Sequence, residues 1–135
     1  MLFTDTFSVP AATLKASPVS RTLKIAPGII HLAEVQFLDG PENEVNIVIK
    51  QALHQRVPTN TEASVVGNAN TVSASLLYPV EEAPFEVQIE AWSPDAGYAH
   101  EITVRLHILP REILQPPLPE LGVLKRLGKM LFGGG

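Results

Sequence analysis

Twelve prolines, at positions 10, 18, 27, 41, 58, 79, 84, 94, 110, 116, 117 and 119, cut this 135-residue chain into short pieces. Proline lacks an amide proton and fixes φ, so it interrupts helices and central strands alike. Short apolar runs separated by proline, glycine and asparagine are the pattern of many strands and turns. The chain is therefore expected to be built of strands, with no helix before its last fifteen residues.

Periodicity identifies the runs. Val19 to Ile25 largely alternates apolar and polar residues and reads as an edge or half-exposed strand, stopped by Pro27-Gly28. Ile29 to Leu38 forms a stronger strand, with Ile29, His31, Ala33, Val35 and Phe37 on one face and Ile30, Leu32, Glu34 and Gln36 on the other. Val45 to Lys50 is β-branched and buried; Leu53 to Val57 extends it or pairs with it. Residues 58 to 70 read as a loop with a short strand at Ala63 to Val66, followed by Thr71 to Tyr78 with Val72, Ala74 and Leu76 inward. In the next two runs Phe85, Val87, Ile89 and Ala91, then Ile102, Val104, Leu106 and Ile108, face inward. The short polar link between them predicts an antiparallel hairpin, with Glu86 and Glu90 opposite Arg105 and His107. Residues 1 to 18, holding Pro10 and Pro18, read as an N-terminal arm with one short strand near Ala12 to Ala16.

About seven or eight strands over some 100 residues imply an all-β fold. The expected architecture is a single antiparallel two-sheet β-sandwich, jelly-roll or immunoglobulin-like, with the arm at one end and a short amphipathic C-terminal helix at the other. Residues 19–115 would form the sandwich and 116–135 a proline spacer and tail. The length suits one domain with a real core.

Charge divides the chain unevenly. Its net −4 combines a body, residues 1 to 120, with seven Lys/Arg against fourteen Asp/Glu, and a tail, residues 121 to 135, with three cations and no anion. Such a body is unsuited to nonspecific nucleic-acid binding, and no specific nucleic-acid partner is expected. The absence of cysteine removes disulfides and thiolate metal sites. The first residues lack the basic and apolar regions of a secretion signal, and no run approaches the roughly 20 apolar residues of a membrane span.

Candidate chemistry is sparse. His31, His54, His100 and His107 fall on different elements without metal-ligand spacing, and His31 is the one expected to be buried and paired. Glu86 and Glu90, four residues apart on a strand, stand roughly 13 Å apart along its axis and read as solvated surface rather than a glycosidase pair. No nucleophile elbow, phosphate-binding loop or dinucleotide fingerprint occurs. The chain is accordingly read as noncatalytic, with no cofactor and no metal. Trp92 points outward beside the turn Ser93 to Tyr98; with Tyr98 it would stack on a sugar or anchor a protein, or else it plugs the sandwich end.

The tail carries the strongest signal for docking. On a helical wheel Lys125, Arg126 and Lys129 occupy an arc from about 40° to about 140°, and the apolar residues, including Leu121, Leu124, Leu127, Leu131 and Phe132, fill most of the rest. An isolated helix this short is marginal in water, so its order is expected to need a partner: its own domain, another subunit or a membrane face. Pro116-Pro117-Leu118-Pro119 reads as a stiff spacer leading to it.

The strand series Gly28 to Leu38, Val45 to Val57 and Phe85 to Pro110, with the proline spacer and apolar-basic end, resembles small β-sandwich virion components of the minor capsid, cement or decoration type. The likeness is one of architecture. It implies a structural or assembly protein located in a virion, or otherwise intracellular, that forms homo- or hetero-oligomers with other structural proteins through its termini and carries no catalytic residues. The alternative is an immunoglobulin-like module that binds carbohydrate or peptide through Trp92 and Tyr98.

Overall fold

The computed structural model describes residues 1–110, and the amphipathic segment expected at residues 121 to 132 lies outside them. Eight strands run in order: β1 (Leu2–Val9), β2 (Val19–Lys24), β3 (Gly28–Phe37), β4 (Asn46–Gln51), β5 (His54–Val57), β6 (Asn70–Val80), β7 (Glu86–Trp92) and β8 (His100–Leu109). They form two antiparallel four-stranded sheets, ordered β1-β8-β3-β6 and β2-β7-β4-β5. No helix occurs among the described residues.

The pairings nest. β4 pairs with β5, β3 with β6, β2 with β7 and β1 with β8, as though one long ribbon with its tip at Ala52-Leu53 had been rolled up. Further pairing of β3 with β8 and β4 with β7 closes each sheet. The inner faces meet in one core. Ile102, Val104, Leu106 and Ile108 of β8 pack with Val87, Ile89 and Ala91 of β7, Ile47 and Ile49 of β4, and Phe7 and Val9 of β1. The expected inward faces of β7 and β8 are the observed ones, and Val72, Ala74 and Leu76 of β6 pack half-buried against this cluster.

Several expectations are corrected. β7 and β8 do not form a hairpin, because their connection crosses between the sheets. Glu90 therefore pairs with Lys50 of β4 at 3.0 Å, and His107 with Glu34 and Arg105 with Gln36 of β3. Alternation specifies which face a residue takes, but it does not choose the neighbouring strand. The phase of β3 also slips. A bulge between Ile30 and Leu32 takes His31 out of the pairing, so Ile30 joins Ala33, Val35 and Phe37 in the core. His31 is consequently half-buried with its ring edge toward His107, while the buried histidine is His100.

Much of the expected N-terminal arm belongs to the sandwich. Residues 2 to 9 form β1, and Asp5, which interrupts the inward apolar series Phe3, Phe7 and Val9, is held in a two-pronged pair by Arg21 of β2 at 2.9 Å and 2.9 Å. No strand spans Ala12 to Ala16; instead Thr13 bridges Ser93, and Ala12 bonds Ala96. The segment after β1 is thus fastened to the β7–β8 crossover.

The ribbon tip is strained. Ala52 and Leu53 form a two-residue hairpin loop with φ of 51° and 68°, the left-handed pair that favours Asn-Gly. Replacing Ala52-Leu53 by Asn-Gly is expected to stabilise the protein by about 1 kcal/mol. Chemical denaturation reads this directly; an unchanged or lower midpoint would contradict the turn geometry.

Candidate functional site

Among the described residues, concave surfaces outside the core include three that are each made by a different feature of the winding. The first covers the outer face of β4 and β7. Val48, although on that outer face, is almost fully buried, because the loop after β5 folds back over it with Thr61 and Ala63. Gln55 fixes the loop: its amide nitrogen shares two protons among the carbonyls of Pro58, Asn60 and Ala63, at 2.8, 3.0 and 3.2 Å. The remaining groove, about 270 Å³, is lined also by Lys15, Lys50, Glu90 and Trp92.

Trp92 is half-buried in this groove, with the Lys15 ammonium 5.3 Å from its ring centre. It is an outward-facing platform, not a plug at the sandwich end. Tyr98 is exposed and packs elsewhere, tilted on His100 at 4.4 Å with its hydroxyl 3.5 Å from the Gly40 carbonyl. Trp92 and Tyr98 therefore do not line one groove. The expected docking residues Leu121, Leu124, Lys125, Arg126, Leu127, Lys129, Leu131 and Phe132 lie outside the described residues.

The second surface follows from the β3 bulge. His31 lies with Ser75, Leu76, Leu77 and Leu109 around an open apolar hollow. Glu34 holds His107, and His31 meets the same ring edge-on at 6.0 Å between centroids. Among the described residues, no cluster of three or more His, Asp or Glu is arranged to hold a metal ion.

The third surface lies at the ribbon tip. Ala52 and Leu53 form one wall, Pro79 to Pro84 the other, and Tyr78 lies between them; the space is about 470 Å³. Tyr78 is fixed from beneath. Its hydroxyl accepts from Arg56 at 2.6 Å and donates to Gln51 at 2.9 Å, while the guanidinium lies 3.9 Å from the ring centre. This cluster joins β6 of one sheet to β4 and β5 of the other, and Asp5–Arg21 does the same between β1 and β2 at the opposite side. Hydrogen bonding to Asp5, and secondly its charge, raise the Arg21 pKa further above its ordinary value, so the guanidinium stays charged.

Sequence reasoning missed Asp5, Gln55, Arg56 and Leu53. Only Asp5 left a signal, as a charge at an inward position of an alternating run. The others act through loop and cross-sheet geometry that no local pattern records.

No protein-family model matches the chain, and no curated protein matches it. Among solved structures it is similar to FlhE, at 14% identity over 78% of this chain and 94% of that one, with a TM-score of 0.44. It is similar also to a structure of Bacillus endospore appendages, described as a novel family of disulfide-linked pili, at 14% identity over 81% and 88% of the two chains and a TM-score of 0.39. A family two carbohydrate esterase from Cellvibrio japonicus shares 15% identity over 82% of this chain and 36% of that one, with a TM-score of 0.30. These likenesses concern all-β architecture and nothing finer.

Because Trp92 faces outward, Trp92→Ala is expected to leave the sandwich folded and to cost less than the roughly 3–5 kcal/mol of a core tryptophan. Gln55→Leu should cost about 1–2 kcal/mol and speed proteolysis within residues 58 to 69. Equal proteolysis of wild type and variant would contradict the clamp.

Proposed function

We propose that the protein is a noncatalytic structural or assembly component, with the jelly roll as its frame and its C-terminal segment as its tether. The observation that carries this reading is the distribution of apolar side chains. The core closes on itself and both sides of the sandwich are pinned by polar clusters, yet Leu53 and Leu77 stand 90% and 75% exposed at one end. Leu53 lines the groove at the ribbon tip and Leu77 the hollow beside the end of β8, and large apolar groups left in water suit contact surfaces. Leu109, where the last strand ends, lines the same hollow as Leu77, and the apolar-basic segment follows it in sequence.

The nested strand order supports a jelly roll over the immunoglobulin-like alternative, in which consecutive strands A and B are neighbours in one sheet. Jelly rolls serve in viral capsids as well as in lectins and cupins, so the narrower reading as a virion component rests on the architectural resemblance. A binding module built on Trp92 and Tyr98 has less support, since the two rings occupy different surfaces and Lys15 lies over one of them. No helix among the described residues is long and apolar enough to cross a membrane. A membrane face nevertheless remains within reach of an interfacial helix, and anionic vesicles would induce helix in a peptide of residues 118–132 if that were its partner.

The reading predicts that the full-length protein associates as its concentration rises and that a chain ending at residue 115 does not. Native mass across a concentration series checks this. A full-length chain that stays monomeric throughout would contradict it.

A further inference from the structure

We propose that β6 is a docking edge for a second copy of this chain, whose own β6 pairs with it antiparallel about a two-fold axis through Ala74. The inference rests on the assembly reading and gives it a contact made by described residues. β6 ends its sheet, and among the described residues only β3 pairs with it. One side of its backbone therefore presents donors and acceptors to which a further strand can be added.

The other three edges are guarded, and this one is not. β1 turns Asp5 inward, and β2 carries Arg21 and Lys24 within six residues. β5 has only four residues, His54 and Arg56 among them, and Pro58 follows it. Inward charges, exposed cations, shortness and proline are the devices that keep edges from pairing. β6 has eleven residues, Asn70–Val80, with no charge and no proline before Pro79. Its register with β3 slips at Leu76-Leu77, opposite the β3 bulge, but its burial alternates without a break from Thr71 to Val80. It is long, uncharged and regular enough to act as a template.

The pattern of β6 selects its own copy. Residues directly opposite in a sheet share a face, so the axis must pass through a residue rather than between two. About Ala74 the strand matches itself in both directions. Val72 meets Leu76 and Ala74 meets Ala74 on the inward face, while Ser73 meets Ser75 and Thr71 meets Leu77 on the outward face. Apolar and hydroxyl pairs are favourable cross-strand neighbours, and no like charges meet. The inward row gains burial. Val72, Ala74 and Leu76 pack against the core yet stay half-buried, beside a facing sheet whose edge strand β5 has only four residues. The same row from a second copy covers their open side, and Leu77, 75% exposed, is shielded beside Thr71. The contact is isologous and closes at two copies. A few cross-strand pairs return little beside the cost of associating free molecules, so the edges pair where the C-terminal segment already holds copies close.

The chain has no cysteine, so a single introduced cysteine reports the register. In the full-length protein under mild oxidation, Ala74→Cys is expected to give about 10-fold more covalent dimer than Asn70→Cys. The axis sets Ala74 opposite itself, within the Cα separation that a disulfide spans, whereas the two copies of Asn70 stand about 27 Å apart. Adding Ser73→Lys and Ser75→Lys, at exposed positions, sets lysine opposite lysine and should abolish the Ala74→Cys dimer. Ser73→Lys with Ser75→Glu should restore it, with denaturation midpoints showing that both variants stay folded. Equal yields from Ala74→Cys and Asn70→Cys in a protein that associates would overturn the pairing and leave the assembly reading intact. An Ala74→Cys dimer indifferent to the paired lysines would do the same. A dimer that forms only once residues 116–135 are removed would place the chain's own segment on the edge and overturn the proposal. A wild-type chain that never associates would defeat both.

Discussion

The fold depends on burying both sheets' inner faces against each other, and β8 sits at the centre of that contact. Its four inward side chains, Ile102, Val104, Leu106 and Ile108, are fully or almost fully buried between β1 and β3 and against the facing sheet. Each is worth about 1.5–3 kcal/mol when removed from water. No single hairpin could bury them, because an isolated antiparallel pair leaves one face of both strands in solvent. The nested pairing solves this. Rolling the β4–β5 ribbon places β7 and β4 beneath β8 and β3, so one alternating pattern is buried from both sides.

Closing a rolled ribbon leaves four edge strands, two at each side of the sandwich, and the chain treats the sides in parallel ways. Asp5 and Arg21 tie β1 to β2; Arg56, Tyr78 and Gln51 tie β6 to β5 and β4. Arg21 grips Asp5 through two nitrogens of its planar fork, whereas Arg56 donates through one to the Tyr78 hydroxyl. The outer face of β4 is covered by the loop that Gln55 gathers, and residues 12 and 13 are fastened to the β7–β8 crossover. The ribbon tip contrasts with these closures. Its turn holds two non-glycine residues in the left-handed region and presents Leu53 to solvent, a costly local choice that a contact with a neighbour would offset.

How much of this was legible varies with the kind of information alternation carries. The inward faces of β7 and β8 were readable because their period of two runs unbroken. In β3 the same rule fails at His31, since a bulge adds a residue and shifts the phase, leaving no mark in composition. β1 was obscured by Asp5, whose inward position makes sense only with Arg21 sixteen residues later. The short polar link after Trp92 suggested a hairpin, although it crosses between sheets; pairing is decided by the whole roll. That crossing also separates Trp92 from Tyr98, which lie close in sequence but on different surfaces. The ribbon-tip groove was invisible, because it joins Leu53 to Pro79 through cross-sheet contacts.

The body is a closed frame, and on the proposed reading association is concentrated at one end of it. Hydrogen exchange of the full-length protein, compared between dilute and concentrated solution, tests that claim most directly. Added protection is expected at Ala52 to His54 and Thr71 to Glu86, with the backbone of β2 and the Trp92 groove unchanged. Protection gained along β2 or around Trp92, with none at the ribbon tip, would contradict the account.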